Sequence, residues 1–248
     1  MVIKSPYPDV EIPDLDIPTF LFEHPRPKEH QYPRDRHVFI DAKSGRGLSL
    51  DELHDSSRKF GQGLKEKWGW KKEDVMCIFS ANQIDTGIVV WGTQYALGVG
   101  IYLLMVCVLI VVSPANPAYT EDELLHQLKD SRAKAIVTIA DLLPVAVAAG
   151  RRANIPKDRI VVFKTAKDGH KSYTSLFSDK HAESTRGKIH PSDLAFLAYS
   201  SGTTGLAKGV ILTHRNIVAN CLQCSALEIK NMHWTQDRMV SFLPFYHI

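Results

Sequence analysis

The sequence predicts an α/β fold in which a mostly parallel sheet is flanked by helices. Three observations carry that prediction. Between residues 49 and 163, apolar runs of strand length alternate with stretches whose apolar residues recur at helical intervals. Two of the helical stretches open on a capping box, Ser49-Leu-Asp-Glu52 and Thr120-Glu-Asp-Glu123. Near residue 200, a glycine- and hydroxyl-rich stretch separates two further apolar runs.

Residues 1–48 are rich in proline and charge and read as an extended, wrapping segment with short strands such as His37–Ile40. Behind Ser49, the spacing of Leu50, Leu53, Phe60 and Leu64 predicts a helix. Trp68-Gly-Trp70 ends it, and Val75–Phe79 reads as a buried strand. A buried helix is expected over 86–97, a turn at Gly98-Val-Gly100, and a strand over 101–112. Behind Thr120, Leu124, Leu125 and Leu128 mark another helix. Residues 135–139 read as a strand, 144–153 as a helix and 160–163 as a strand. Residues 164–190 are polar and lack periodicity, so they read as a connection.

One stretch is anomalous. Residues 95–112 are eighteen in a row without a strongly polar side chain. About 20 apolar residues cross a bilayer, so this run also fits a membrane span.

Composition narrows the function classes. The 248 residues are 44% hydrophobic and 23% charged. A chain so long and apolar can bury a core, which excludes collagen-like, disordered and disulfide-scaffold proteins. A net charge of +3 is too small to point to nucleic acid. Of the four cysteines, Cys221 and Cys224 have redox-motif spacing but lie within a helical pattern without a second pair. They read as ordinary thiols rather than a redox or zinc site. His24, His30 and His126 show no ligand spacing, so no metal site is expected. The N-terminus lacks the apolar core of a signal peptide, which predicts an intracellular protein.

The most informative stretch is the one near residue 200. An apolar strand at 194–199 leads into ten residues holding Gly202, Gly205 and Gly209, four hydroxyls and Lys208. A second apolar strand follows at 210–212. Glycines let backbone N–H groups converge on a concavity, hydroxyls add donors, and a lysine adds charge. That is the chemistry of a phosphate cradle. The spacing is not that of a Walker A loop, because Lys208 is followed by Gly209 and a strand rather than Ser/Thr and a helix.

Residues 199–210, Tyr-Ser-Ser-Gly-Thr-Thr-Gly-Leu-Ala-Lys-Gly-Val, resemble the signature loop of the adenylate-forming (AMP-binding) superfamily. That superfamily includes acyl- and aryl-CoA synthetases, luciferases and nonribosomal-peptide adenylation domains. Thr213-His-Arg-Asn216 and the stretch from Leu243 to Ile248 resemble its next two motifs. Ser5-Pro-Tyr-Pro-Asp9 and Pro114-Ala-Asn-Pro-Ala-Tyr119 look most like 4-coumarate:CoA ligases. One departure stands inside the loop, where Ala207 replaces the family's usual proline and loses its fixed φ.

The resemblance implies the N-terminal part of a large adenylation domain, with the glycine-rich phosphate loop between two strands. It implies a two-step reaction. A carboxylic acid and MgATP give an acyl-adenylate and pyrophosphate, and coenzyme A then displaces AMP. By the same resemblance, Ser200, Ser201, Gly202, Thr203, Thr204, Gly205, Lys208 and Gly209 hold the ATP phosphates. His247 stands at the acyl pocket near the reacting carboxylate, and Tyr246 forms an aromatic wall of it. His214 is expected to cap the helix behind the loop. Mg2+ enters only with ATP, and the location implied is cytoplasmic or peroxisomal.

Family members continue past the motif at 243–248 with adenine- and ribose-binding stretches and a small C-terminal domain. The expectation is therefore a truncated domain with no ligase activity of its own. In relatives, a helix like that at 88–97 leads almost directly into the following strand, so about a dozen residues near 100–111 read as an insertion. The alternative to a ligase is a non-catalytic, membrane-associated remnant.

Overall fold

The computed structural model describes residues 5, 7, 9–25, 32–71, 74–96, 111–180, 189–200, 207–228, 231–233 and 237–247. In chain order its elements are β1 (His37–Ile40), β2 (Gly47–Ser49), α1 (Leu50–Trp68), β3 (Val75–Phe79), α2 (Thr86–Tyr95) and β4 (Val111–Ala115). There follow α3 (Glu121–Asp130), β5 (Ala133–Thr138), α4 (Leu143–Arg152), β6 (Ile160–Val162), β7 (Leu194–Ser200), β8 (Lys208–Thr213) and α5 (His214–Glu228). Six strands form one sheet in the order β6-β5-β3-β4-β7-β8, and β1 pairs with β2 separately. All neighbours in the large sheet are parallel except β7 and β8.

The capping boxes form as their spacing demands. Ser49 Oγ accepts the Glu52 N–H at 3.1 Å, and the Glu52 carboxylate accepts the Ser49 N–H at 2.7 Å. Thr120 and Glu123 exchange the same pair of bonds at the start of α3. Gly69, at φ +59°, closes α1 in the left-handed conformation that a side chain disfavours.

Every residue of β3 is buried, because helices cover both faces of the sheet. Met76 and Ile78 pack on one side with Phe60, Leu64, Ile88 and Val89 of α1 and α2. Val75, Cys77 and Phe79 pack on the other with Leu124, Leu128 and Ala146 of α3 and α4. The chain passes from β3 to β4 on one side and returns to β5 on the other. The loops behind β3 and β4 therefore diverge, opening a crevice at the ends of these strands.

Two expected irregular segments contain packed turns. Within residues 1–48, Thr19–Glu23 forms a π-helical turn rather than extended chain, and it buries Phe20 and Phe22. Asp16 starts it by accepting the Thr19 N–H at 3.0 Å. The connection at 164–190 carries a 3₁₀ turn, Tyr173–Leu176, whose Tyr173 and Leu176 are buried. Three aromatic rings close on one another there: Phe60 of α1, Tyr173 and Phe177.

Of the strand expected over 101–112, residues 111 and 112 are described and belong to β4, where Val111 pairs with Val75. The turn at Gly98-Val-Gly100, the inserted residues near 100–111 and most of the apolar run at 95–112 lie outside the described residues. Among the described residues no helix is long and apolar enough to cross a membrane. His214 does not cap α5 as expected. Thr213 Oγ1 accepts the Asn216 N–H at 3.1 Å, while His214 is buried and its Nδ1 accepts the Ile17 N–H at 3.2 Å. Cys221 and Cys224 are exposed on α5 and form no disulfide among the described residues. Cys77 is buried, and burial pushes its thiol up to about 12.

A charged contact joins three of these pieces. Arg46, on the turn between β1 and β2, donates to both oxygens of Asp85 at 2.9 and 2.6 Å. Asp85 is buried at the start of α2, beside Tyr173. Burial and that carboxylate push the Tyr173 hydroxyl well above its ordinary range, so it stays protonated. Arg46→Ala leaves the carboxylate without its cation. The expected loss is about 1–3 kcal/mol, below the roughly 3–5 of a fully buried pair because the guanidinium is half in water. Urea unfolding measures it.

Candidate functional site

Strands β7 and β8 flank the glycine-rich stretch, which lies mostly outside the described residues. These strands pair antiparallel up to Ser200 opposite Lys208, so the two ends of the loop meet. Ser201, Gly202, Thr203, Thr204 and Gly205 lie outside the described residues. Ser200, Lys208 and Gly209 stand at the mouth, all three exposed. A hydroxyl and an ammonium thus face each other across one strand pair, open to an anion.

Helix α3 holds both flanks of this mouth, which the sequence did not suggest. On the β7 side, the Tyr199 hydroxyl donates to Asp130 at 2.5 Å. Burial, and then Asp130, push the Tyr199 hydroxyl far above its ordinary range, so it remains a donor. On the β8 side, His126 Nε2 lies 3.0 Å from the Ala207 carbonyl oxygen. A carbonyl only accepts, so this nitrogen carries the proton. His126 and Asp130 are one helical turn apart and share a face of α3. The tether from His126 falls on Ala207, the position where the proline constraint is missing. The Tyr199 ring also lies against Gly209, where a Cβ would meet it at 3.2 Å. A signal existed in the i, i+4 spacing of a histidine and an aspartate on a capped helix, but not in what they touch.

A second feature opens on the same strand. A narrow cleft of about 30 Å³ is lined by Ile78, Ser80 and Ala81 behind β3, Thr86 and Val90 of α2, Val112 and Pro114 of β4, Phe196 of β7, and Phe245 and Tyr246. It sits at the crevice where the sheet connections diverge. Phe196 and Ser200 are four residues apart on β7, roughly 13 Å along the strand. Tyr119, behind β4, has its hydroxyl raised by burial first, then by Glu123 and Tyr246.

Tyr246 thus lines this cleft. His247 is exposed beside it, its ring 6.4 Å from the Tyr246 ring, and it is not among the lining residues. Its backbone N–H donates to the Pro244 carbonyl at 3.1 Å, closing a turn that faces the imidazole to water. Among the described residues no group of three or more His, Cys, Asp or Glu side chains is arranged to hold a metal ion.

The family described as AMP-binding enzyme matches residues 26–248, which contain the loop, both strands and the cleft. The chain belongs to this family. It is 31% identical over 252 residues to 4-coumarate-CoA ligase 1 of Narcissus pseudonarcissus, covering 100% of this chain and 42% of that protein. It is 29% identical over 239 residues to a long-chain-fatty-acid–CoA ligase of Escherichia coli O6:H1, covering 86% and 40%. The chain thus spans about two fifths of the length of these curated relatives. Among solved structures, a long-chain-fatty-acid-CoA ligase of Archaeoglobus fulgidus superposes with a TM-score of 0.71 at 22% identity, over 98% of this chain and 45% of that one. ATP-bound MatB of Rhodopseudomonas palustris superposes with 0.68 at 22% identity, over 94% and 41%. These likenesses establish the fold, a mostly parallel sheet of an adenylation domain flanked by helices. The family is one of enzymes.

Proposed function

We propose that this chain carries the phosphate loop and one wall of the acid pocket of an AMP-forming acid–thiol ligase. The observation that carries the reading is the mouth of the loop. Ser200 and Lys208 face each other across β7 and β8, and α3 tethers both flanks. That donor set fits the phosphates of ATP. The ammonium of Lys208 neutralises charge, while Ser200 to Gly205 and Gly209 supply hydroxyl and backbone donors. Mg2+ would enter with the nucleotide and add to the charge neutralisation that Lys208 supplies.

The apolar cleft beside Tyr246 supports an acid with an aryl or alkyl body, its carboxylate turned toward the nucleotide along β7. Adenylation is largely a matter of holding carboxylate and α-phosphate in line with charge neutralised, which is positioning work. His247 stands at the rim of this cleft, where its imidazole can reach a carboxylate from the water side. Coenzyme A serves as the thiol that takes the acyl group.

The test is titration of the 248-residue chain with MgATP, followed by carboxylate-dependent pyrophosphate exchange with trans-cinnamate and decanoate. Saturable MgATP binding is expected. No exchange above background is expected from these residues, because the relatives that join acids to CoA are more than twice as long. An absence of nucleotide binding sinks the reading.

A further inference from the structure

The loop behind β3 holds a contact that no motif accounts for. Asn82 reaches across 161 residues of chain to donate from Nδ2 to the Leu243 carbonyl at 2.8 Å. Its Oδ1 accepts the Phe245 N–H at 2.7 Å. A longer contact, 3.4 Å, runs from Nδ2 to the Ser241 carbonyl. One side-chain amide thus satisfies a carbonyl and an N–H two residues apart, as a neighbouring strand would. The orientation of the amide follows from these partners, since a carbonyl oxygen only accepts and an N–H only donates.

Phe245 and Tyr246 line the cleft from one segment of chain, and Ser80 and Ala81 line it from the loop behind β3. Asn82 is the residue next to Ala81 in that loop. Its bonds set how far the Phe245–Tyr246 wall stands from the sheet. The cleft is narrow, about 30 Å³, so the distance of this wall from the sheet decides what it admits. A tether of two or three bonds at one end lets the wall yield while keeping its register.

We propose that Asn82 is a positioning residue that fixes the Leu243–Phe245 backbone and so sets the width of the acid cleft. The proposal rests on the ligase reading for the identity of the ligand, though the tether itself does not. Asn82 is exposed, and it touches the wall rather than the acid.

The test uses the 248-residue chain and its Asn82→Ala variant. Amide exchange at Phe245 is followed by NMR, and trans-cinnamate and MgATP are titrated separately. Exchange at Phe245 is expected to speed up, and cinnamate affinity to fall, each by about tenfold, what one or two net hydrogen bonds supply. MgATP affinity and the urea midpoint are expected to stay within twofold and unchanged, respectively. A parallel loss of MgATP affinity marks a general loosening and overturns the proposal. So do unchanged Phe245 exchange or unchanged cinnamate affinity in a chain that binds cinnamate. If the unaltered chain binds neither ligand, the ligase reading fails, and exchange at Phe245 alone decides whether Asn82 holds the wall. Should Asn82→Ala not fold, Asn82→Asp keeps the shape and the acceptor, removes the donor, and is read through Leu243 and cinnamate.

Discussion

Lys208→Met is expected to lower MgATP affinity by a factor of roughly 30–150, the equivalent of about 2–3 kcal/mol for a charge-assisted contact to phosphate. Lys208 opens β8 and is exposed, and among the described residues no carboxylate pairs with it. Methionine keeps the length of the stem and its place on the edge strand. Stability is therefore expected to change by less than about 0.5 kcal/mol, as for other surface positions. Two measurements check this: MgATP titration and the urea midpoint. Raising salt should weaken binding to the unaltered chain more than to the variant, because only the former loses a screened ion contact. An affinity that survives the substitution would remove the charge from the cradle and with it the proposed role.

Gly63→Ala should produce the largest loss of stability, about 3 kcal/mol or more, at the upper end of overpacking effects. A Cβ at Gly63 of α1 would lie 1.4 Å from the Leu176 carbonyl oxygen. That atom belongs to backbone, so no rotamer change relieves the clash. The 3₁₀ turn it ends is held firmly. Lys67 Nζ donates to the Ser175 and Phe177 carbonyls at 2.7 and 2.8 Å, and Ser178 Oγ donates to Glu66 at 2.7 Å. Alanine must therefore push the turn off α1 and open the Phe60–Tyr173–Phe177 cluster. Urea unfolding gives the magnitude, and faster amide exchange across residues 173–178 locates it. Gly45→Ala is the contrast. There φ is +73° with open space around the Cβ, so only backbone strain of about 1 kcal/mol is expected.

The comparison of Gly63 with Ser49 shows where the sequence could be read. Ser49 and Glu52 satisfy each other within three residues, so the capping box is visible in the string and appears in the structure at bonding distance. The strands at β3 and β5 were legible for the same reason, as apolar runs bounded by breakers. The composition of the stretch between β7 and β8 is legible in the same way, as glycines, hydroxyls and one lysine between two apolar runs. Gly63 looks like any helical glycine, a slight cost to α1, until Leu176 is placed against it.

The site divides the same way. Ser200, Lys208 and Tyr246 are expected from their motifs, and the structure pairs Ser200 with Lys208 across the two strands and sets Tyr246 against a cleft. His126 carried no ligand spacing and was set aside, yet it holds the Ala207 carbonyl. Asp130 and Asn82 drew no notice at all. Each acts on a partner 69 to 163 residues away, a backbone group for His126 and Asn82 and the Tyr199 hydroxyl for Asp130, and a contact that distant leaves no mark in the local sequence.

By itself, the sequence determined what is local or chemical: two helix starts, the alternation of strand and helix, and the make-up of a glycine- and hydroxyl-rich stretch with one lysine. These follow from contacts within a few residues or from side-chain chemistry that tolerates few substitutes. Only the tertiary structure decided the order β6-β5-β3-β4-β7-β8, the grip of α3 on both flanks of the loop, and the clasp of Asn82 on the cleft wall. The physical reason is that these depend on which distant surfaces meet, and packing of two helical layers on one sheet settles that for the whole chain at once.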